Sequence, residues 1–342
     1  MSGRLVQPLQ LEPNPVWRSY EGGSILRAFR GQPDTKDDHF PEDWLASTVA
    51  ARNGTYSQGA NEGISSVPWR GRRVPVGEVI ESPFGVLLKL LDASIRLQVQ
   101  AHPDRGFVRR HLSGDAGKTE CWYILSTRGA AQVYLGFQRP PKRAEWKQMM
   151  QGQDVAGMLA CFDPIPVQAG DCLVVPTGVP HAIGAGIFMI ELQEPSDWVV
   201  RCEAKNGDLV LPDNQRYMGL GLETCLDVFD YRAYSLNAVR EQFQQHPRMV
   251  AQTASFIEEE IIGTTYREFF RLRRLRGTGP ASWNGGEVMV MIMTKGEGAV
   301  SGQSVRQGQT WLLPGTMAQW RWEAGAAEWE ILLAQPPMKE VR

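Results

Sequence analysis

The chain has 342 residues, of which 42 % are hydrophobic and 22 % charged, with a formal net charge of -2 at pH 7. That is an ordinary soluble composition with room for two cores. It excludes the strongly basic balance a nucleic-acid backbone usually attracts, and no apolar run approaches the roughly 20 residues a bilayer-spanning helix needs.

The opening segment MSGRLVQPLQLEPNP has no apolar stretch of the secretory kind, so a cytoplasmic protein is expected. Turn residues are plentiful, with 35 Gly and 22 Pro. Between them run short segments rich in Val, Ile, Leu and aromatics: VLLKLLDA from Val86, RLQVQAH from Arg96, CWYILST from Cys121, AQVYLGF from Ala131, DCLVVP from Asp171 and GIFMIELQ from Gly186. Short strands with frequent turns predict a β sandwich or barrel. KRAEWKQMMQGQDVAGML, from Lys142, spaces its apolar residues at helical intervals and reads as an insertion on the β core. The stretch 207–255 is less patterned, with one weaker helix, LNAVREQFQQ from Leu236, and reads as a connection. Strand-like segments resume near Phe256 and repeat the order of the first half, but the last histidine of the chain is His246. The expectation is a mainly β protein: a metal-binding catalytic domain over 1–206 with a helical insertion near 142–160, and a second, metal-free domain of the same architecture over 256–342.

Five cysteines, at positions 121, 161, 172, 202 and 225, form no CxxC pair. They read as free buried thiols in a reducing compartment, not as a zinc ribbon or a thioredoxin-type site.

Three segments carry candidate chemistry. In QVQAHPD, strand alternation would put Gln98, Gln100 and His102 on one face, so Gln100 and His102 could offer an oxygen and a nitrogen to one ion. A lone histidine beside proline is more often a hydrogen-bonded structural residue. In GKTECWYIL, Glu120 stands where a loop enters an apolar strand, a costly place for a carboxylate unless it is solvated, paired or metal-bound. In QAGDCLVVPTGVPHAIGAG, tight turns fix His181 beside a strand end. Each segment alone is weak. Together they offer nitrogen and oxygen donors of the kind that suits a divalent ion with open positions for substrate. SGDAGKT mimics a phosphate-binding loop, but the glycine that pattern needs is replaced by Leu112 and no clear helix follows.

At these residues the chain resembles the type I mannose-6-phosphate isomerases, zinc-dependent enzymes of the cupin superfamily. LQVQAHPD is similar to the family's L-S-I-Q-V-H-P-D, GKTECWY (Gly117–Tyr123) is unchanged, VPTGVPHAIGAG follows the histidine motif, and PEDWLAST is a weaker match near the N-terminus. The resemblance implies two cupin domains, each a jelly-roll-like β-barrel. It implies one Zn²⁺ per chain on Gln100, His102, Glu120 and His181. It makes Lys118 and Arg201 catalytic and Lys89, Gln98, Glu42 and Trp17 substrate-binding, with a sugar phosphate substrate, no nucleic-acid or membrane partner, and a monomer or homodimer. Two departures fall at the substrate: Gln98 replaces the family's phosphate-contacting serine, and Arg201-Cys202-Glu203-Ala204-Lys205 replaces a segment like R-V-Y-D-W. An isomerase of a different or unphosphorylated sugar, or a non-catalytic sugar-binding cupin, therefore stays open. An iron-dependent oxygenase, a further cupin chemistry, would usually carry more histidines.

Overall fold

The computed structural model describes residues 5–80 and 84–338. The outermost residues of the two expected domains, 1–4 and 339–342, lie outside that description, as does the start of the segment read for a secretory signal.

Three strands, Leu87–Ala93, Glu120–Thr127 and Ile187–Gln193, are nearly continuous apolar runs without the two-residue alternation of a half-exposed strand. Such runs need cover on both faces, and they have it. They form the centre of a seven-stranded antiparallel sheet. One face, with Leu88, Leu90, Tyr123, Phe188 and Ile190, packs on a second seven-stranded sheet through Leu272, Val290, Ile292, Leu312 and Leu332. The other face, with Leu91, Trp122, Ile124 and Met189, meets a five-stranded sheet through Val133, Leu135 and Ile183. The second large sheet is covered on its outer side by a four-stranded sheet, across Trp283, Met291, Trp320 and Trp322. The protein is thus mainly β, two two-sheet units back to back.

The chain laces the units together. Leu9–Leu11 pairs with Thr310–Leu313 in the C-terminal sheet. Pro15–Val16 then pairs with Glu42–Leu45 in the N-terminal one. The return crossing is short: Gln244–Gln245 pairs with Cys172–Val175, and Arg248–Gln252 already pairs with Phe256–Glu260. Only His246 and Pro247 stand between.

Two elements differ from the sequence expectation. The run that begins at Lys142, expected as one helix, is two: Arg143–Gly152 and Val155–Ala160. Gln153 takes a left-handed conformation (φ 53°) and Asp154 caps the second helix by accepting from the Gly157 N–H. Both helices cover the outer face of the five-stranded sheet through Trp146, Met150 and Met158. The expected strand over 96–102 is regular only at Gln100–Ala101. Ahead of it, the Val99 N–H donates to the carboxylate of Glu203 (2.7 Å) and the Gln98 amide donates to the Glu203 carbonyl (2.8 Å). A distant side chain thus satisfies backbone that a neighbouring strand would otherwise pair.

Candidate active site

The site lies between the two sheets of the N-terminal unit. Glu120, the first residue of its strand, is fully buried, as are His102 and His181. Glu120 Oε2 is 3.1 Å from His102 Nε2, and Oε1 is 3.3 Å from His181 Nε2. Each ring is oriented from behind. His102 Nδ1 is 3.0 Å from the Trp198 carbonyl and His181 Nδ1 is 2.9 Å from the Val179 carbonyl. A carbonyl only accepts, so each Nδ1 carries the proton and each Nε2 keeps its lone pair facing the carboxylate. Burial and the neighbouring Lys118 push His102 down to about 3, and burial lowers His181. For Glu120, burial alone would raise the pKa. Lys118 and the two imidazoles outweigh it and hold the carboxyl well below the usual range. Two neutral imidazoles and one carboxylate, with ligand atoms within 4.8 Å of one another, could hold a metal ion. The donor set and its backing carbonyls therefore fit a divalent cation.

Gln100 and Lys118 complete the group. Gln100 pairs directly opposite His181 across the sheet, and its amide nitrogen is 3.2 Å from His181 Nε2. A ligating role would use the amide oxygen at this place, which a half-turn of the amide supplies. The Lys118 ammonium is 2.7 Å from Glu120 Oε2 and 3.0 Å from His102 Nε2.

Gln100 and Lys118 also line a narrow cavity of about 40 Å³. Its wall is made of paired charges. Lys89 and Glu191 are cross-strand neighbours at 2.6 Å, and Glu42 is 3.6 Å from the same ammonium. Arg18 bridges Glu42 (2.9 Å) and Asp197 (3.0 Å), and the Tyr20 hydroxyl donates to Glu42 (2.6 Å). Burial would raise the Glu42 pKa, but Arg18 and Lys89 bring it down to about 2. For Glu191 burial wins over Lys89 and lifts the carboxyl to about 7. Arg201, opposite Gln100 in the ladder, is the exception. Its guanidinium has no hydrogen-bond or ion-pair partner among the described residues, and burial lowers its pKa to about 10.

Gln100, His102, Glu120, His181 and Lys118 therefore come together, and Lys89, Gln98, Glu42 and Arg201 line the adjoining cavity. Trp17 does not line it. Its ring stacks on Tyr56 (4.7 Å, 6°) and on His39, and its backbone N–H is held by Glu62. Sequence reasoning missed Arg18, Tyr20, Glu191 and Asp197. Glu191 carried a usable signal: it is a carboxylate inside the apolar run GIFMIELQ, the same anomaly that marked Glu120.

Two buried, backbone-oriented histidines and a glutamate between the sheets of a mainly β unit make a site that could hold a metal ion, in a protein of the cupin class. Comparison narrows the class. No family model matches the chain. It is 33 % identical over 226 residues to a mannose-6-phosphate isomerase of Streptococcus mutans, a match covering 66 % of this chain and 68 % of that one. It is 34 % identical over 200 residues to a probable mannose-6-phosphate isomerase of Bacillus subtilis, covering 58 % and 61 %. The match thus spans about three-fifths to two-thirds of these relatives' lengths. The crystal structure of a Bacillus subtilis mannose 6-phosphate isomerase superposes with a TM-score of 0.73 at 19 % identity, covering 96 % of this chain and 100 % of that one. A putative mannosephosphate isomerase from Archaeoglobus fulgidus gives 0.70 at 18 %, covering 97 % and 98 %. The chain belongs to the mannose-6-phosphate isomerase family.

Proposed function

We propose that this chain is an aldose–ketose isomerase that interconverts mannose 6-phosphate and fructose 6-phosphate. The observation that carries the reading is the placement of the His102–Glu120–His181 cluster. Through Gln100 and Lys118 it adjoins a cavity lined by a cation, Arg201, whose guanidinium has no hydrogen-bond or ion-pair partner among the described residues. Isomerisation moves a proton between adjacent carbons, and negative charge develops on two substrate oxygens. Zn²⁺ held by Gln100, His102, Glu120 and His181 would supply Lewis-acid polarisation of those oxygens. Lys118 sits beside the same ligands and stabilises the developing charge or moves the proton. Arg201 holds anionic oxygens. Glu191, lifted by burial to about 7, is a second group able to exchange a proton near neutrality. In this reading residues 1–206 form the catalytic unit, 207–255 the connection and 256–342 a metal-free cupin, in a cytoplasmic monomer or homodimer.

Glu120→Ala tests the scheme. Bound metal and turnover should disappear together, with activity falling by about a thousandfold or more. Full turnover in that variant would sink the proposal. One observation favours a second reading, an unphosphorylated sugar substrate: Gln98 spends its amide N–H on the Glu203 carbonyl. Comparing mannose with mannose 6-phosphate on the same zinc-loaded protein separates the two.

A further inference from the structure

The inner cavity is a tight place for a phosphoryl group. Its volume of about 40 Å³ is room for a few water molecules. Its wall already contains the carboxylates of Glu42, Glu191 and Asp197. Arg18 and Lys89 are spent on these three carboxylates and Lys118 on Glu120, which leaves Arg201 as the lining cation with no hydrogen-bond or ion-pair partner among the described residues. Gln98 commits one of its two amide N–H donors to the Glu203 carbonyl.

Immediately outside lies a second, wider groove of about 480 Å³. Asp197, Val199 and Arg201 line both spaces, so the two are adjacent along that wall. The groove holds a further cation, Arg52. Its guanidinium carbon lies over the Trp198 ring, 3.4 Å from the centroid. Like Arg201, it has no hydrogen-bond or ion-pair partner for its side chain among the described residues. The one carboxylate nearby, Asp197, is taken. It is bound by the Arg18 guanidinium, and it accepts the Arg52 backbone N–H at 2.8 Å. A guanidinium over an aromatic face, with no hydrogen-bond partner for its N–H groups among the described residues, suits a bidentate grip on phosphate. The backbone carbonyl of Trp198 also orients His102. Anion seat and metal cluster are therefore tied through one residue.

We infer that Arg52, stacked on Trp198 and facing the same groove as Arg201, seats the phosphate of the substrate, so that the phosphorylated end lies in the outer groove and the reacting carbons lie inward. This rests on the isomerase reading for the identity of the substrate, but the anion site itself is separately measurable. Inorganic phosphate is the probe, titrated calorimetrically into the metal-loaded full chain, its Arg52→Ala variant and its Arg52→Lys variant. Arg52→Ala should weaken phosphate binding about tenfold or more, and Arg52→Lys should recover part of that, since charge returns without the planar fork. With mannose 6-phosphate, Arg52→Ala should raise KM about tenfold with a much smaller fall in kcat, the signature of binding lost equally in ground and transition states. Phosphate binding equally tight in wild type and Arg52→Ala would overturn the inference, as would a wild type that binds no phosphate. Arg52-dependent phosphate binding in a wild type that does not isomerise mannose 6-phosphate would leave the anion seat standing and overturn only the isomerase reading.

Discussion

The two units share a plan and differ in what they hold between their sheets. In the N-terminal unit the interior carries Glu120, His102, His181, Lys89 and Glu191, all at most 2 % exposed. In the C-terminal unit the corresponding space is filled by Trp283, Trp311, Trp320, Trp322 and Trp329 with Met289, Met291 and Met293. A β sandwich needs cover for its inner faces and is indifferent to the chemistry of that cover, provided buried charges are paired. One unit uses large aromatic and thioether side chains and gains packing. The other accepts desolvated charges and gains reactivity. Perturbed titration is the trace of that exchange.

The contrast can be broken at its charged side. Lys89→Met would strip the Glu191 carboxylate of its partner and weaken the hold on Glu42. The expected cost is about 3–5 kcal/mol of stability, because it leaves a buried charge uncompensated. The double variant Lys89→Met/Glu191→Leu should recover much of it, and urea unfolding of both proteins would show this. A Lys89→Met protein as stable as wild type would mean the pair is solvated.

Acid sharpens the contrast. The folded state holds His102 at about 3, below its ordinary 6.5, so between those values the unfolded chain binds a proton the fold refuses. That contribution is complete above about pH 6.5 and is lost as pH falls toward 3. Glu191 works the opposite way, since its raised pKa costs stability as pH climbs from the ordinary carboxylate range through about 7. Thermal melts of chelated wild type and His102→Gln across pH 4–7 isolate the first term by difference. Wild type should lose a few kcal/mol more than the variant on acidification. Parallel curves would refute the assignment.

The smallest effect belongs to the aromatic unit. The indole N–H groups of Trp283, Trp311, Trp320 and Trp322 are buried without a hydrogen-bond partner among the described residues. Removing an unpaired donor releases its desolvation cost, so Trp320→Phe should fall within about 1 kcal/mol of wild type, lost packing being offset. A loss several times larger, read by denaturant titration, would show that the N–H has a partner such as a bound water.

Much of the site was legible because each metal-ligand candidate sits in a short motif whose residue types make little sense otherwise: a carboxylate opening an apolar strand, a histidine locked by prolines. What was not legible depends on distance. Arg18 meets Asp197 across 179 positions, and nothing near Arg52 in sequence announces Trp198. The two departures at Gln98 and Glu203 looked independent, yet they contact each other, with Arg96 gripping the Glu203 carboxylate at 2.6 Å. Local pattern fixed where strands run; it could not show that the Val99 N–H and the Gln98 amide would be tied to Glu203. Nor could it show that the first strand belongs to the last sheet.

That first strand has a consequence for the chain as a whole. Leu9–Leu11 lies in the C-terminal sheet, and Leu88, Leu90, Phe188 and Ile190 share one core with Leu272, Ile292 and Leu332. A gene fragment stopping at Gln245 would encode every candidate ligand, yet its product would carry an orphan strand and one broad greasy wall open to water. The half that holds none of the candidate ligands covers the core of the half that does.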